Sequence, residues 1–600
     1  MHVERLVVRN FRGIKHADIR FREGLNLIVG RNGSGKSTIL EAMRILLDAS
    51  LGRQARELDE GDLYGDEKFV GPANVVIAAR FSGFGDTAYE KQLRLRFKAD
   101  GTNPSDWLLY RFRPKVDART QLLDGDRKSS GLVQKDYESE RLVGVSDDPN
   151  LLSWDSDPSG EELKEKDLAT IFIAEIPALR NVVEELRRQR TSPLVELLST
   201  VDIPDADRVA VENAYAAAQK IVEGVPALST VAAAIRSSYG MLTSEGQIQV
   251  RLGLTRSNYA AILKDLGVFL TDDLISDMEL RRNGLGFNNL LYVAMLLENF
   301  RRRVATTEGT PMLLVEEPEA HLHPQAQEAL LRSLLDQPFQ TIGTTHSPYV
   351  AATAGLSKII NLDRADAVKG INLVDAAGIT PEELADLDRF LNADRGTILF
   401  ATTVILVEGA AEQILIPAYA AVAGHNLAKL GIQVCAINGT HFAAFEKLLG
   451  PNGLNRPYVL VKDNDGQNGP DRKKMPMLDD GADVGRNANE FATHTTLEYA
   501  ITRQNSLGAL AETARELGMP RLAEYLDGAV AGAPATITGE VQLAVHQGAV
   551  RAGKARFAQA FARRIARDSI APPSYIESAI IASIEQVASE SRAKETPAAD

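Results

Sequence analysis

The sequence predicts an α/β protein built on two successive open sheets. Three observations predict it. First, an apolar strand, Leu25 to Val29, runs directly into Gly30-Arg31-Asn32-Gly33-Ser34-Gly35-Lys36-Ser37 and then into the amphipathic run ILEAMRILLDA. That order of strand, glycine loop and helix is a phosphate-binding βα unit. Second, two later apolar runs, TPMLLVEEPEAHLHP at 310–324 and QTIGTTHSPYV at 340–350, are strands with polar ends, as in open parallel sheets. Third, a new alternation starts at 403: TVILVEG, a helix, IQVCAING, a helix, and PYVLVKDND, a second βαβαβ unit.

The elements follow in order. Residues 3–8 and 14–21 read as short strands separated by Gly-containing turns, ahead of the strand at 25–29. NVVIAARF (74–81) and KQLRLRFK (91–98) alternate as strands do, and the polar span 113–160 reads as long, mobile loops. From about 165 to 245 the periodicity is helical, in segments such as DRVAVENAYAAAQKIVEGV, and this is taken as a helical insertion. Strand character resumes at 246–253, and 380–400 reads as a helix and connector. Residues 499–590 are Ala-rich and helical, before a small, polar tail. The predicted division is 1–165 and 246–390 for one domain, 166–245 for its insertion, and 391–600 for a second domain with a helical C-terminal region.

Composition narrows the function. Hydrophobic residues make up 44% of the 600 and charged residues 25%, which suits a globular chain. The net charge of -14, from 67 Lys+Arg against 81 Asp+Glu, excludes a general nucleic-acid coat but allows a local basic path. Arg472-Lys473-Lys474 and Arg563-Arg564 are candidates for such a path. The lone Cys435 excludes an intrachain disulfide and a four-thiolate zinc site, and points to the cytoplasm. The N-terminus has no signal-like apolar region, and no stretch reaches the roughly 20 apolar residues that span a bilayer.

Two sites carry chemistry. The first is the G-x-x-x-x-G-K-[ST] loop, where Asn32, Gly33, Ser34, Gly35, Lys36, Ser37 and Thr38 would cradle the phosphates of ATP. Lys36 supplies a charge to the β/γ oxygens and Ser37 a hydroxyl to Mg²⁺. In Met312–Pro318 an apolar strand delivers two carboxylates to its C-terminal end. Glu316 would reach Mg²⁺, and Glu317 would orient and deprotonate the attacking water. His346 would meet the γ-phosphate or that water. His321 and His323 are read as packing and loop residues rather than metal ligands. The second site gathers Glu408 at a strand end, Glu412 one helical turn on, Asp463 and Asp465 at i,i+2, and Glu498. Carboxylates so concentrated repel one another unless Mg²⁺ or Mn²⁺ neutralises them, and two ions could clamp an in-line phosphoryl displacement.

NFRGIK, GRNGSGKST, VEEPEAHLHP and TTHSP together resemble the ABC ATPases of the RecF/SMC-like branch. That resemblance implies a signature segment. Arg282–Asn288, with Gly284 and Gly286, takes that place, although it departs from the LSGGQ wording. It further implies that two copies close over ATP. The glutamate after the first strand and the D-x-D after a later one resemble a TOPRIM domain. An ATPase of this branch followed by TOPRIM resembles the OLD (overcoming lysogenization defect) nucleases, which include the nuclease subunit of Gabija antiphage systems. The family setting G-K-x-R-F-A corresponds to Gly553–Ala558 and implies a catalytic Lys554. It also implies that the insertion dimerises, with Val182, Val183, Leu186, Leu194 and Leu197 as apolar positions. The implied function is an ATP-hydrolysing, divalent-metal-dependent DNA endonuclease, a homodimer or larger, in antiphage defence. The implied partners are DNA, further copies of the chain and, as an option, a helicase. Two alternatives stay open: a RecF-like repair ATPase with a topoisomerase-type TOPRIM, for which Tyr499 and Tyr525 are tyrosines at hand, and a nucleotide-gated scaffold that does not cut.

Overall fold

The computed structural model describes residues 1–600 except 50, 52–55, 66–71, 87, 98–106, 127–131, 164–170, 177–192, 200, 243–249, 251, 253–258, 260–261, 263–265, 267, 271–277, 280–283, 307–309, 321, 363–367, 371, 392–395, 440–441, 464–482, 485–489, 494–495, 532–536 and 596–600. Three larger sheets organise them. The first is mostly antiparallel and holds β1 (His2–Phe11), β2 (Ile14–Arg20), β4 (Val75–Ser82), β5 (Trp107–Pro114), β6 (Tyr137–Val145), β7 (Glu161–Glu162) and β14 (Val368–Gly370), in the order β14-β2-β1-β4-β5-β6-β7. The second is parallel: β3 (Leu25–Val29), β8 (Ile171–Ile176), β11 (Thr310–Glu316), β12 (Gln340–Thr344) and β13 (Ile359–Asn361), ordered β13-β3-β12-β11-β8. The third holds β15 (Thr403–Val407), β16 (Ile432–Ala436), β17 (Tyr458–Asp463), β18 (Asp483–Val484) and β19 (Glu490–Thr493), ordered β16-β15-β17-β19-β18 and parallel but for β18. A two-stranded ribbon joins β9 (Phe269–Leu270) to β10 (Met278–Glu279).

The central parallel strands are buried because both their faces are covered, and β3 and β15 are accordingly almost wholly apolar. In β11, Met312 and Leu314 pack into a core shared with the antiparallel sheet and the helix Lys36–Leu47. The alternate residues, Leu313 and Val315, pack against the helices Leu285–Thr306 and Pro324–Leu335. A further cluster is common to the second and third sheets: Leu25, Leu27 and Val29 share one apolar core with Val404, Leu406, Cys435 and Leu460. The two chemical sites therefore sit on sheets packed through a continuous interior.

The structure corrects several expectations. The strand expected at 91–98 is not formed over its described residues: Ala88–Arg96 is helical. The Leu/Arg alternation misleads, because Leu93 and Phe97 are buried one helical turn apart while Leu95 is 80% exposed. The span 113–160 holds the helix Val116–Leu123 and the nine-residue β6, which pairs with β5 along its length. Its following loop is anchored as well. The buried Arg111 donates to Asn74 Oδ1 at 3.0 Å and to the Ser156 carbonyl at 2.7 Å, and Arg119 meets Asp157 at 2.7 Å. The segment read as a helical insertion from 165 opens with β8, an edge strand of the parallel sheet. Its helices follow at Pro193–Ser199, Asp205–Glu223 and Pro226–Leu242. Val182, Val183 and Leu186 lie outside the described residues. Leu194 and Leu197 are half-buried on a helix that Asn299 ties to Leu285–Thr306 of the same chain, through the Pro193 carbonyl at 3.1 Å. The strand expected at 246–253 falls largely outside the described residues.

Candidate nucleotide and metal sites

Because β3, β12 and β11 are adjacent and parallel, their C-terminal ends bring three of the nucleotide-site segments to one edge. After β3 the chain turns through Gly33 and Gly35, both at positive φ, into the helix that Lys36 begins. Gly30 has no room for a side chain: an added Cβ would collide with the Leu362 carbonyl and Ser34 Oγ. Lys36 is buried, and its ammonium donates to the carbonyls of Gly30 at 2.9 Å and Arg31 at 3.0 Å. Burial pushes its pKa down to about 8, against the opposing pull of Glu317 and Glu319. Ser34 Oγ is buried and has no hydrogen-bond partner among the described residues. A strained ammonium and an orphaned hydroxyl in a glycine cradle fit an anionic ligand such as a nucleotide phosphate. Asn32, Gly33 and Ser37 are exposed at the mouth, and Thr38 is partly buried in the first turn.

Glu316 ends β11 opposite Thr344 of β12. Glu317 follows with φ 46, the left-handed region that costs a glutamate roughly 1 kcal/mol or more. Its amide donates to the Thr344 carbonyl at 3.0 Å, and its carboxylate lies 3.7 Å from His346 Nε2. The strained backbone is thus fastened to the neighbouring strand, with the carboxylate turned toward the predicted histidine. Sequence reading missed Glu319. Its Oε1 accepts hydrogen bonds from Thr345 Oγ1 at 2.9 Å and from the amides of His346 at 2.8 Å and Ser347 at 3.1 Å, so it sets the course of the segment that carries His346. His323 is exposed at the start of the helix Pro324–Leu335, and His321 lies outside the described residues. Gly284 precedes the helix Leu285–Thr306 and its carbonyl accepts from the amides of Phe287 and Asn288. Gly286 lies in its first turn, so the proposed signature glycines do mark a helix N-terminus.

At the second site, β15, β17 and β19 present Glu408, Asp463 and, through the helix Leu497–Ile501, Glu498 at their C-terminal ends. Glu408 Oε1 accepts from the Asp463 amide at 2.9 Å. Asp463 Oδ2 accepts from the Leu497 amide at 3.3 Å, and Glu412 Oε2 from the Gly409 amide at 3.1 Å. Glu498, 2% exposed, accepts from Thr496 Oγ1 at 3.0 Å and Lys554 Nζ at 3.0 Å and pairs with His546 Nδ1 at 3.1 Å. His546 is the second residue that sequence reading missed. Asp465 lies outside the described residues.

The charge balance of this site decides what it can hold. Burial, with Glu412, Glu408 and Glu498 nearby, raises the Asp463 pKa well above the carboxylate range. Burial chiefly, with Glu498 and Glu408 adding to it, lifts Glu412 to about 7. Glu498 stays below its usual value: burial opposes this, but Lys554, Thr496 and His546 outweigh it. One ammonium thus serves four acids. Among the described residues no three of them converge on one ion position, since backbone amides hold Glu408, Glu412 and Asp463 in place. The donor set, hard oxygens with uncompensated negative charge, fits Mg²⁺ or Mn²⁺.

A pH prediction follows. The Glu412 carboxyl, ordinarily near 4.5, keeps its proton in the folded state up to about pH 7. Between those values the folded form binds more protons than the unfolded form, so this group's contribution to stability is full below the window and is lost as pH rises through it. Glu412→Gln is expected to raise the Tm of the metal-free protein by a few degrees at pH 8 and to leave it little changed at pH 5. Thermal melts in chelator-treated buffer decide this, and an equal shift at both values would refute it.

A family model described as an AAA ATPase domain matches residues 1–96 and 242–351, and one described as the TOPRIM domain of overcoming lysogenization defect protein-like proteins matches 399–465. The C-terminal region of the Xanthomonas campestris pv. campestris OLD protein is 32% identical over 33% of this chain and 99% of that one, with a TM-score of 0.26. The chain belongs to the OLD family. It joins an ATPase domain to a TOPRIM domain of the OLD type. This OLD protein is also similar to the uncharacterized protein YbjD of Escherichia coli K12, 24% identical over 451 residues, which are 72% of the chain and 74% of YbjD. The RecF protein of Caldanaerobacter subterraneus is 36% identical over 102 residues, 17% of the chain and 25% of RecF.

Two further observations bear on the OLD architecture. The guanidinium of Arg31, inside the phosphate loop, donates to the Thr402 carbonyl at 3.4 Å, one residue before β15. The basic stretch Arg563-Arg564 is not a free path: both side chains pair with Glu516, and Arg564 also lies 3.4 Å from Glu512. Arg472-Lys473-Lys474 lies outside the described residues. No helix among the described residues is long and apolar enough to cross a membrane.

Proposed function

We propose that this OLD family protein is an ATP-hydrolysing, divalent-metal-dependent DNA endonuclease that works in the cytoplasm as a homodimer or larger assembly. The observation that carries the reading is that Glu408, Asp463 and, one short helix on, Glu498 stand at the ends of neighbouring strands of one sheet, with Lys554 Nζ on Glu498. Bound Mg²⁺ or Mn²⁺ would lower the pKa of a water and neutralise charge on the cleaved phosphate. The chain's own residues do the rest. Glu408, Glu412, Asp463, Asp465 and Glu498 hold the ions. His546 and Thr496 hold Glu498 in orientation. Lys554 leaves its pairing to Glu498 in part and offers an ammonium to the charge that grows on phosphate.

At the other site Lys36, Ser37 and the loop amides bind the ATP phosphates with Mg²⁺, which Glu316 also reaches, and Glu317 with His346 positions the attacking water. Gly284 and Gly286 of one subunit complete the site of another. Exposed Val209, Ile221, Val231 and Ile235 on the insertion helices supply apolar surface for the association. Antiphage defence is the biological setting that the family resemblance supports.

The test is plasmid nicking with Mg²⁺ or Mn²⁺, with and without ATP, ADP and a non-hydrolysable analogue. Metal-dependent nicking that responds to nucleotide is the expected result. A covalent protein–DNA adduct would favour a topoisomerase instead, and DNA left intact under every condition would favour a scaffold.

A further inference from the structure

We propose that a groove in the C-terminal helical region binds the backbone of duplex DNA alongside the cleaved bond. The inference rests on the nuclease reading and names where its substrate lies. The groove has a volume of about 720 Å³ and runs between the helices Pro520–Ala531, Gly539–Ala552 and the first turn of Lys554–Asp568. Arg521, Arg551 and Arg556 line it, all three exposed.

Their lack of partners is the first argument. On the helix Lys554–Asp568 and the neighbouring helix Leu507–Glu516 the other arginines are paired: Arg515 with Asp527, Arg563 and Arg564 with Glu516, and Arg567 with Glu512 and Asp568. Arg521, Arg551 and Arg556 have no carboxylate or hydrogen-bond partner among the described residues. Three uncompensated guanidiniums in one concavity, on a chain of net charge -14, make a local positive field that favours a polyanion. Guanidinium forks suit phosphate oxygens. Tyr525, 44% exposed, adds an aromatic face to the same groove.

The second argument is construction. Gly548 forms part of the lining, and an added Cβ there would collide with Leu522 across the helix pair. Glycine lets the Leu522 side chain pack directly onto the facing helix.

The third argument is position. Arg551 and Arg556 flank the corner where Gly553, at φ 87, ends one helix and Lys554 begins the next. Lys554 Nζ reaches Glu498 at 3.0 Å, and His546, on the helix that carries Arg551, reaches the same carboxylate. A single corner thus directs one cation to the carboxylates and two to the groove. Three residues of chain span at most about 11 Å. One DNA strand carries a charge about every 3.4 Å of helix axis, so the backbones of Arg551 and Arg556 lie within about three phosphate spacings of Lys554.

The experiment compares the full-length protein with a variant carrying Arg521→Ala, Arg551→Ala and Arg556→Ala, using fluorescent duplex DNA across a salt series. Each lost phosphate contact should flatten the slope of log K against log[salt] by about 0.9, or by about 2.7 for three. The KM for DNA in metal-dependent cleavage should rise tenfold or more, with the smaller share of the change in kcat. Arg521→Lys, Arg551→Lys and Arg556→Lys together keep the charge and should restore most of the slope, while ATP hydrolysis without DNA reports that the fold is intact. An unchanged slope and KM in the alanine variant, with wild type cleaving normally, overturns the groove alone. A lowered affinity for RNA duplex or free phosphate with DNA unaffected also overturns it. A wild-type protein that neither binds nor cuts DNA overturns the nuclease reading beneath it.

Discussion

Glu408→Ala is expected to lower metal-dependent nicking by roughly 10³-fold, about 4 kcal/mol of transition-state stabilisation, while ATP hydrolysis stays within about twofold. Glu408 stands at the end of β15 and its carboxylate receives the Asp463 amide at 2.9 Å. It therefore does two things: it brings negative charge to the site and joins the ends of the two central strands. Alanine removes the metal-holding oxygens and leaves the Asp463 amide without its partner. Glu408→Gln separates the effects, because its carbonyl can still accept from the amide but brings no charge. Both variants should fail to cut. Only alanine should lower stability, and Tm with it, appreciably, by the roughly 1–3 kcal/mol of an unsatisfied buried donor. Nicking at wild-type rate by either variant would remove the nuclease assignment. The nucleotide site draws on β3, β11 and β12 instead, which is why its turnover should persist.

Lys36→Ala is expected to do the reverse, reducing ATP hydrolysis by roughly 10²–10³-fold, as removal of one preorganised charge at a transferred phosphoryl does. The ammonium now rests on two backbone carbonyls, with its pKa lowered to about 8 by burial. Phosphate oxygens would favour the charged form and raise that value. ATP binding near pH 8 should consequently take up a fraction of a proton, seen in calorimetry as a heat that depends on the buffer's ionisation enthalpy. Lys36→Ala should lose that dependence. ATP turnover in the alanine variant at the wild-type rate would show that the loop is not the hydrolytic site.

Much of both sites was legible in the sequence because each rests on a local pattern. An apolar strand ending in a carboxylate places Glu316, Glu408 and Asp463 at the C-terminal end of a buried sheet before any coordinate is known, and the glycine loop carries its own geometry. What stayed hidden was not local. Glu319 acts on amides 27 and 28 residues away, and His546 on a carboxylate 48 residues away, so no window of sequence holds both partners. The strand β6 was hidden by its own composition: YESERLVGV lies near a sheet edge, where partly exposed positions accept polar residues. The helix at 88–96 was hidden by ambiguity of period, since leucines two apart satisfy a strand pattern although only one of them is buried.

The apolar cluster that β3 shares with β15 and β17 makes the two candidate sites thermodynamically linked. Arg31 adds a polar tie across the same junction, from the phosphate loop to Thr402. A ligand that binds only the native loop, at about 100 times its Kd, stabilises what it binds by about 2.7 kcal/mol. Where the interior is continuous, that free energy is not confined to the loop. It opposes local opening of β15, the strand on which Glu408 stands. The cell's ATP level would then tune how firmly the carboxylate site is held together, before any nucleotide is hydrolysed.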